Sequence, residues 1–257
     1  RIPFEGHVWL DRFTIKNLEI FFPNTVEGKC LIDVIDHTIS PMGGRLLKRW
    51  LALPSTDSEL IFKRHNIVEY FNINSPWSFM GHHRLLRLQE QFSFSVELRP
   101  VSIPQIFQAT GGTPLPQRHP SRQEYRFVEL KRWADRLELP LTMKPAYFPS
   151  PDLLAHASIL LLPEDMQLRA AERIGFALWC EEANIADPAI VGNILNTITP
   201  TAMVADEAQI EKAQATIEAH GNKAIKDGVF GVPSYVLDGE VFWGQDRLDF
   251  VMEKLAR

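Results

Sequence analysis

The chain has 257 residues, of which 45% are hydrophobic and 23% charged, and a formal net charge of −5. This composition suits one large globular domain or two modest ones and excludes disordered, collagenous and coiled-coil classes. The acidic balance weighs against a chain built mainly to grip phosphate backbones. The only cysteines, Cys30 and Cys180, allow neither a disulfide framework nor a C-x-x-C redox or zinc motif.

No apolar run approaches the roughly 20 residues of a membrane span. No basic segment followed by an apolar one opens the chain, so nothing indicates secretion, and a cytoplasmic location is expected. The chain starts at Arg1 and reads as a fragment or a processed product.

Residues 1–71 hold nine Lys/Arg and nine Asp/Glu and read as helix with little strand. Leu31, Ile32, Val34, Ile35, Ile39, Leu46 and Leu47 recur at near-helical spacing, with a break expected at Pro41 and Gly43-Gly44. Residues 45–53 form an amphipathic turn or two that Pro54 stops. Ser55-Thr56-Asp57 offers an N-cap for a helix over 57–70.

From there the pattern alternates. Residues 67–73 are rich in β-branched and aromatic side chains and predict a strand. Pro76 suits the first turn of a helix over 77–92. A second strand covers 95–101, with Val96 and Leu98 inward. Residues 104–120 are rich in Gly and Pro and read as a loop. Helices are predicted over 123–137, 151–161, 164–184, 188–197 and 205–220. Two short apolar runs, 234–237 and 241–243, flank Asp238-Gly239, a strong hairpin signal. A last helix spans 246–255.

The order strand, helix, strand, helical block, hairpin, helix predicts an α/β protein: a thioredoxin-like fold with a helical insertion at about 104–220, preceded by a small, mainly helical segment. Residues 67–71 are claimed both by a helix continuing from 57 and by the first strand. The strand is expected to win, because it is needed to nucleate the sheet. The domain junction falls here, giving domains 1–66 and 67–257.

His7-Val-Trp-Leu-Asp-Arg-Phe-Thr-Ile-Lys-Asn-Leu-Glu-Ile20, the stretch from Leu31 through Ser40-Pro41-Met42-Gly43-Gly44-Arg45 to Pro54, and Arg64-His-Asn-Ile-Val-Glu-Tyr70 resemble the start of the core region of MutS mismatch-repair proteins. The working parts of that family are absent from these residues. There is no GxxxxGK[ST] phosphate loop, and Phe4-Glu5 lacks the spacing of the mismatch-reading Phe-x-Glu motif. Residues 1–66 therefore read as a packing element. Arg45, Lys48 and Arg49 read as a solvated helix face, and nucleic acid is not an expected partner.

The chemistry is expected at Ser75-Pro76-Trp77-Ser78, where a strand meets a helix. Unpaired N–H groups and the dipole of a helix N-terminus stabilise a thiolate. This chain places serines there, so it supplies no thiolate of its own. Either serine also suits a plain helix cap; function is favoured for Ser75 and structure for Ser78. His82 and His83 are adjacent and diverge on a helix, so no metal site is expected. Trp133, Trp179 and Cys180 read as buried.

Residues Val68 to Ser78, Gly81-His-His-Arg-Leu-Leu86, Val96-Glu-Leu-Arg-Pro-Val101, Phe107-Gln-Ala-Thr-Gly-Gly112, Leu130-Lys-Arg-Trp-Ala134, Gly228-Val-Phe-Gly-Val-Pro-Ser234 and Phe242-Trp-Gly-Gln-Asp-Arg-Leu248 are similar to 2-hydroxychromene-2-carboxylate isomerases. Those enzymes stand with kappa-class glutathione transferases in the DsbA-like group. The resemblance implies glutathione as cofactor, with Ser75 catalytic at its sulfur. It implies that Val232 and Pro233, as a cis-proline turn, receive the glutathione backbone, and that Gly244, Gln245 and Asp246 receive its γ-glutamyl end. It implies a cis–trans isomerisation of a small aromatic carboxylate by reversible thiolate addition. Two departures stand out: Phe107 occupies a position where related isomerases can carry a basic residue, and the first strand reads about one residue short, which predicts a bulge or a distorted edge just upstream of Ser75. A kappa-like transferase and a non-catalytic scaffold fused to a mismatch-repair fragment are the alternatives. The assembly state, a homodimer included, stays open.

Overall fold

The computed structural model describes residues 7–25, 27–38, 41–56, 66–92 and 94–255. The chain forms two compact units, Arg1–Lys63 and Arg64–Arg257.

In the first unit, helix α1 (Arg12–Asn17) begins where the Asp11 carboxylate accepts the Thr14 N–H at 2.6 Å. Helix α2 (Leu31–Ile35) starts at Cys30, whose N–H and Sγ both reach the Asp33 carboxylate. The Leu31 and Ile32 N–H groups donate to the Glu19 and Ile20 carbonyls, tying α2 to the segment after α1. Helix α3 (Pro41–Ala52) runs through the expected break. Pro41 opens it, where a missing N–H goes unnoticed, and an internal glycine weakens a helix by only about 1 kcal/mol. Of the helix expected over 57–70, residues 57–65 lie outside the described residues and 66–70 are strand.

The second unit is built on a four-stranded mixed sheet in the order β2-β1-β3-β4. Strand β1 (Asn66–Phe71) pairs in parallel with β2 (Ser95–Pro100), unbroken from Asn66 opposite Ser95 to Phe71 opposite Pro100. The expected bulge is therefore absent over this pairing. Helix α4 (Pro76–Gln89) makes the crossover. Antiparallel to β1 lies β3 (Ser234–Leu237), followed by β4 (Glu240–Trp243). Asp238 and Gly239 both take positive φ, 51° and 77°, as a two-residue primed turn requires.

Between β2 and β3 runs the helical block. The predicted loop over 104–120 is largely helical: α5 spans Ile103–Thr110, and a 3-10 turn covers Leu115–Gln117. Its prolines and glycines are helix punctuation. Ser102 caps the start, Pro104 sits in the first turn, and Gly111 ends the helix at φ 76°. Then come α6 (Pro120–Leu137), α7 (Leu153–Leu160), α8 (Glu164–Cys180), α9 (Pro188–Ile198) and α10 (Glu207–Lys226). Helix α10 continues six residues beyond the predicted end. The last segment divides into a 3-10 turn, Gln245–Arg247, and helix α11 (Leu248–Leu255).

The main core lies where α4 and α8 pack against the sheet, around Ile67, Phe71, Phe79, Leu85, Ile174 and Trp179, all buried. Gly175 lets α8 approach closely, since a Cβ there would stand 3.0 Å from the Phe79 ring. Trp133 lies at the edge of this core, with the guanidinium groups of Arg84 and Arg136 at 5.6 and 5.2 Å from its ring.

Candidate functional site

The turn from β1 into α4 is fastened from several sides. The Ser75 hydroxyl accepts the Ser78 N–H at 3.2 Å and so caps the helix. Its own N–H donates to the Asn72 carbonyl, and its carbonyl accepts the Phe79 N–H. Ser75 keeps 7% of its surface exposed and Ser78 none.

Beneath the turn lies a polar belt that sequence reasoning missed. The Asn72 amide donates to the Val101 carbonyl at 2.9 Å and to Asp152 Oδ2 at 2.8 Å. The Asn74 amide donates to the Ser150 carbonyl and to Asp152 Oδ2, and Asn74 Oδ1 accepts the Ser150 N–H. The Ile73 N–H donates to His156 Nε2 at 3.1 Å. That bond needs an unprotonated Nε2, and burial holds the His156 pKa below its usual value, with Asp152 pulling the other way and His82 adding to the lowering. The available signals were Asn-x-Asn just before Ser75 and a lone histidine within the apolar run 153–160.

The hairpin end brings the other implied residues together. Tyr70 pairs with Ser234, which sets Pro233 beside the end of the strand that leads to Ser75. The Val232-Pro233 peptide is cis. Pro233 is buried and Val232 half-buried, and the Val232 N–H and C=O have no partner among the described residues. The Pro233 carbonyl accepts the Gly244 N–H at 2.9 Å. Gly244 sits at φ 105°, and a Cβ there would stand 2.5 Å from Asp246 Oδ1, so both conformation and space demand glycine. Asp246 is half-buried and accepts from Arg247 at 2.8 Å. Gln245 is buried, and both its backbone carbonyl and its Oε1 accept from Arg84 of α4. Gln245 thus anchors this turn to the site helix.

Behind α4 lies a second buried polar group. Glu69 Oε1 and His82 Nε2 stand 3.3 Å apart, both side chains fully buried. Burial pushes the Glu69 carboxyl up, and His82 partly offsets this. The Tyr235 hydroxyl, also buried and without a hydrogen-bond partner among the described residues, faces Gly81, where a Cβ would clash at 2.2 Å. His83 points elsewhere and meets Glu172 at 3.2 Å. Among the described residues no group of three metal-ligating side chains occurs. Burial, reinforced by Glu172 and Glu181, pushes the Cys180 thiol up to about 12. No described helix is long and apolar enough to cross a membrane.

Comparisons with known proteins agree with this layout. The family model for the DSBA-like thioredoxin domain matches residues 66–256, and the chain belongs to that family. A model for MutS domain III matches residues 13–90, overlapping the first strand and the site helix. The DNA mismatch repair protein MutS of Christiangramia forsetii is 59% identical over 76 residues, which is 30% of this chain and 9% of that protein. That of Flavobacterium johnsoniae is 54% identical over 74 residues, 29% and 8% respectively. The chain thus spans under a tenth of these relatives. Among solved structures, a 2-hydroxychromene-2-carboxylate isomerase superposes with a TM-score of 0.61 at 23% identity, covering 75% of this chain and 95% of that one. The cytosolic disulfide reductase DsbM of Pseudomonas aeruginosa follows at 0.53 and 16%, covering 74% and 95%. At these identities the likeness establishes the fold.

Proposed function

We propose that the DsbA-like domain is a glutathione-dependent cis–trans isomerase of the 2-hydroxychromene-2-carboxylate type. The observation that carries this reading is Ser75. A serine stands at the N-cap of α4, its hydroxyl directed at the helix-terminal N–H groups, in a unit whose one cysteine has its thiol held protonated elsewhere.

The residues present fit the tripeptide. The unpartnered Val232 backbone offers one donor and one acceptor to an extended peptide, in the manner of an added strand. Asp246, at the start of the closing turn, offers a carboxylate to an ammonium group. The Ser75 hydroxyl and the positive end of α4 stabilise an anionic sulfur and lower its pKa. Bound glutathione supplies the nucleophilic thiolate, whose reversible addition turns a double bond of the substrate into a rotatable single bond. The Asn72–Asn74–Asp152 belt fixes the turn, so Ser75 is held in place before any ligand arrives.

Calorimetric titration with glutathione, read alongside thiol ultraviolet difference spectra, tests the proposal. Saturable binding with thiolate formation, diminished in Ser75→Ala, is the expected result. At a ligand concentration about 100-fold above Kd, mass action adds roughly 2.7 kcal/mol of stability, visible as a raised Tm. The 7% exposure of Ser75 favours a second reading, in which the serine only caps its helix and the domain is a scaffold. An absence of glutathione binding selects that scaffold. Binding together with conjugation of electrophiles but no isomerisation selects a kappa-like transferase.

A further inference from the structure

We propose that Arg126 is the residue that receives the carboxylate of an aromatic substrate, a role that rests on the isomerase reading above. Arg126 lies on α6, with its guanidinium centre 5.9 Å from the Phe127 ring and 6.0 Å from the Phe148 ring. It is largely withdrawn from water, and among the described residues no carboxylate or carbonyl pairs with it. Arg84, Arg99, Arg132 and Arg247, by contrast, each hold an acidic partner. A buried cation without a counter-ion is unfavourable. Burial, with nearby Arg118 adding to it, brings the Arg126 pKa down to about 10. An incoming anion relieves that cost.

The position ties this charge to the serine turn. Phe148 stacks at 4.8 Å on Trp179, whose indole N–H reaches the Ile73 carbonyl at 3.4 Å. Two residues beyond Phe148, Ser150 exchanges a pair of 2.9 Å hydrogen bonds with Asn74, the residue before Ser75. Lys144 adds a second cation, 5.5 Å from the Phe127 ring. Positive charge set against two phenyl rings suits a flat aromatic acid, because the rings take the apolar plane and the fork-shaped guanidinium takes the carboxylate.

The test uses coumarin-3-carboxylate, a fluorescent bicyclic acid, and its uncharged carboxamide, titrated into the full chain with and without glutathione. The acid is expected to bind at least 10-fold more tightly than the amide. Arg126→Leu should abolish that preference, and Arg126→Lys should retain part of it. Glutathione affinity should be unchanged in both variants, which also reports that they are folded. Equal binding of acid and amide to the unaltered chain, or an undiminished preference in Arg126→Leu, overturns the assignment. Loss of glutathione binding by the unaltered chain overturns the isomerase reading instead, and is scored separately from the Arg126 dependence.

Discussion

The two units bury their apolar residues to very different degrees. Among the described residues of the first, only Ile20, Cys30 and Ile32 are buried hydrophobics, while Trp9, Phe13, Phe22 and Met42 are well exposed. The second encloses a continuous core running from Ile67 to Met252. Both have helix caps, regular hydrogen bonding and a plausible apolar pattern. The difference teaches that local signals make helices, whereas stability comes from layers that close over one another. A sheet covered by α4 and α8 provides such layers. The three described helices of the first unit do not.

The largest expected effects sharpen this contrast. Trp179→Ala should cost about 3–5 kcal/mol, read as a lower urea midpoint of the main unfolding transition. Ile32→Ala should leave that transition where it is; an equal shift would show the two units unfolding as one. Within the second unit, His82→Ala should also destabilise, because it removes a buried ring and the polar side chain 3.3 Å from the buried Glu69 carboxyl. The double change Glu69→Leu/His82→Leu should recover most of that loss. If it does not, the pair itself is the source of stability.

Smaller effects belong to the serine turn. Ser75→Ala should lower stability by about 0.5–2 kcal/mol through loss of the cap, measured by thermal melting without ligand. Asp11→Ala, the corresponding change at α1, should leave the main transition unmoved. His156 gives the turn a pH dependence. Its folded pKa lies below the ordinary value, so the unfolded chain takes up the proton first as pH falls. Its contribution is full above about pH 6.5 and declines below it, by at most about 1.4 kcal/mol per pH unit. Tm should therefore fall between pH 7 and 5, and His156→Gln should flatten that slope. An unchanged slope would assign the loss to other groups.

Much of the fold was legible along the chain. The Asp238-Gly239 hairpin, the strand over 66–71 and the helix behind Pro76 each carry their signal within a few residues. The segment 104–120 misled because Pro104 and Gly111 look like loop residues when the caps they form are not weighed as a set. Of the proposed site, Ser75, Val232, Pro233, Gly244 and Asp246 are all picked out by the family resemblance. Gln245 could be marked too, although its side chain turned out to be buried against Arg84.

The polar belt, the Glu69–His82 pair and the setting of Arg126 could not be marked. Asp152 and His156 reach back some eighty residues to Asn72 and Ile73, and no periodicity records such a meeting. The sequence by itself determined the order of elements, the serine in place of a thiol and the turn chemistry, because propensity, capping and alternation act over one or two turns of chain. The tertiary structure decided which polar groups are buried, which find partners and which do not. Those outcomes depend on distances between side chains far apart in the chain, and on water being excluded once the layers close.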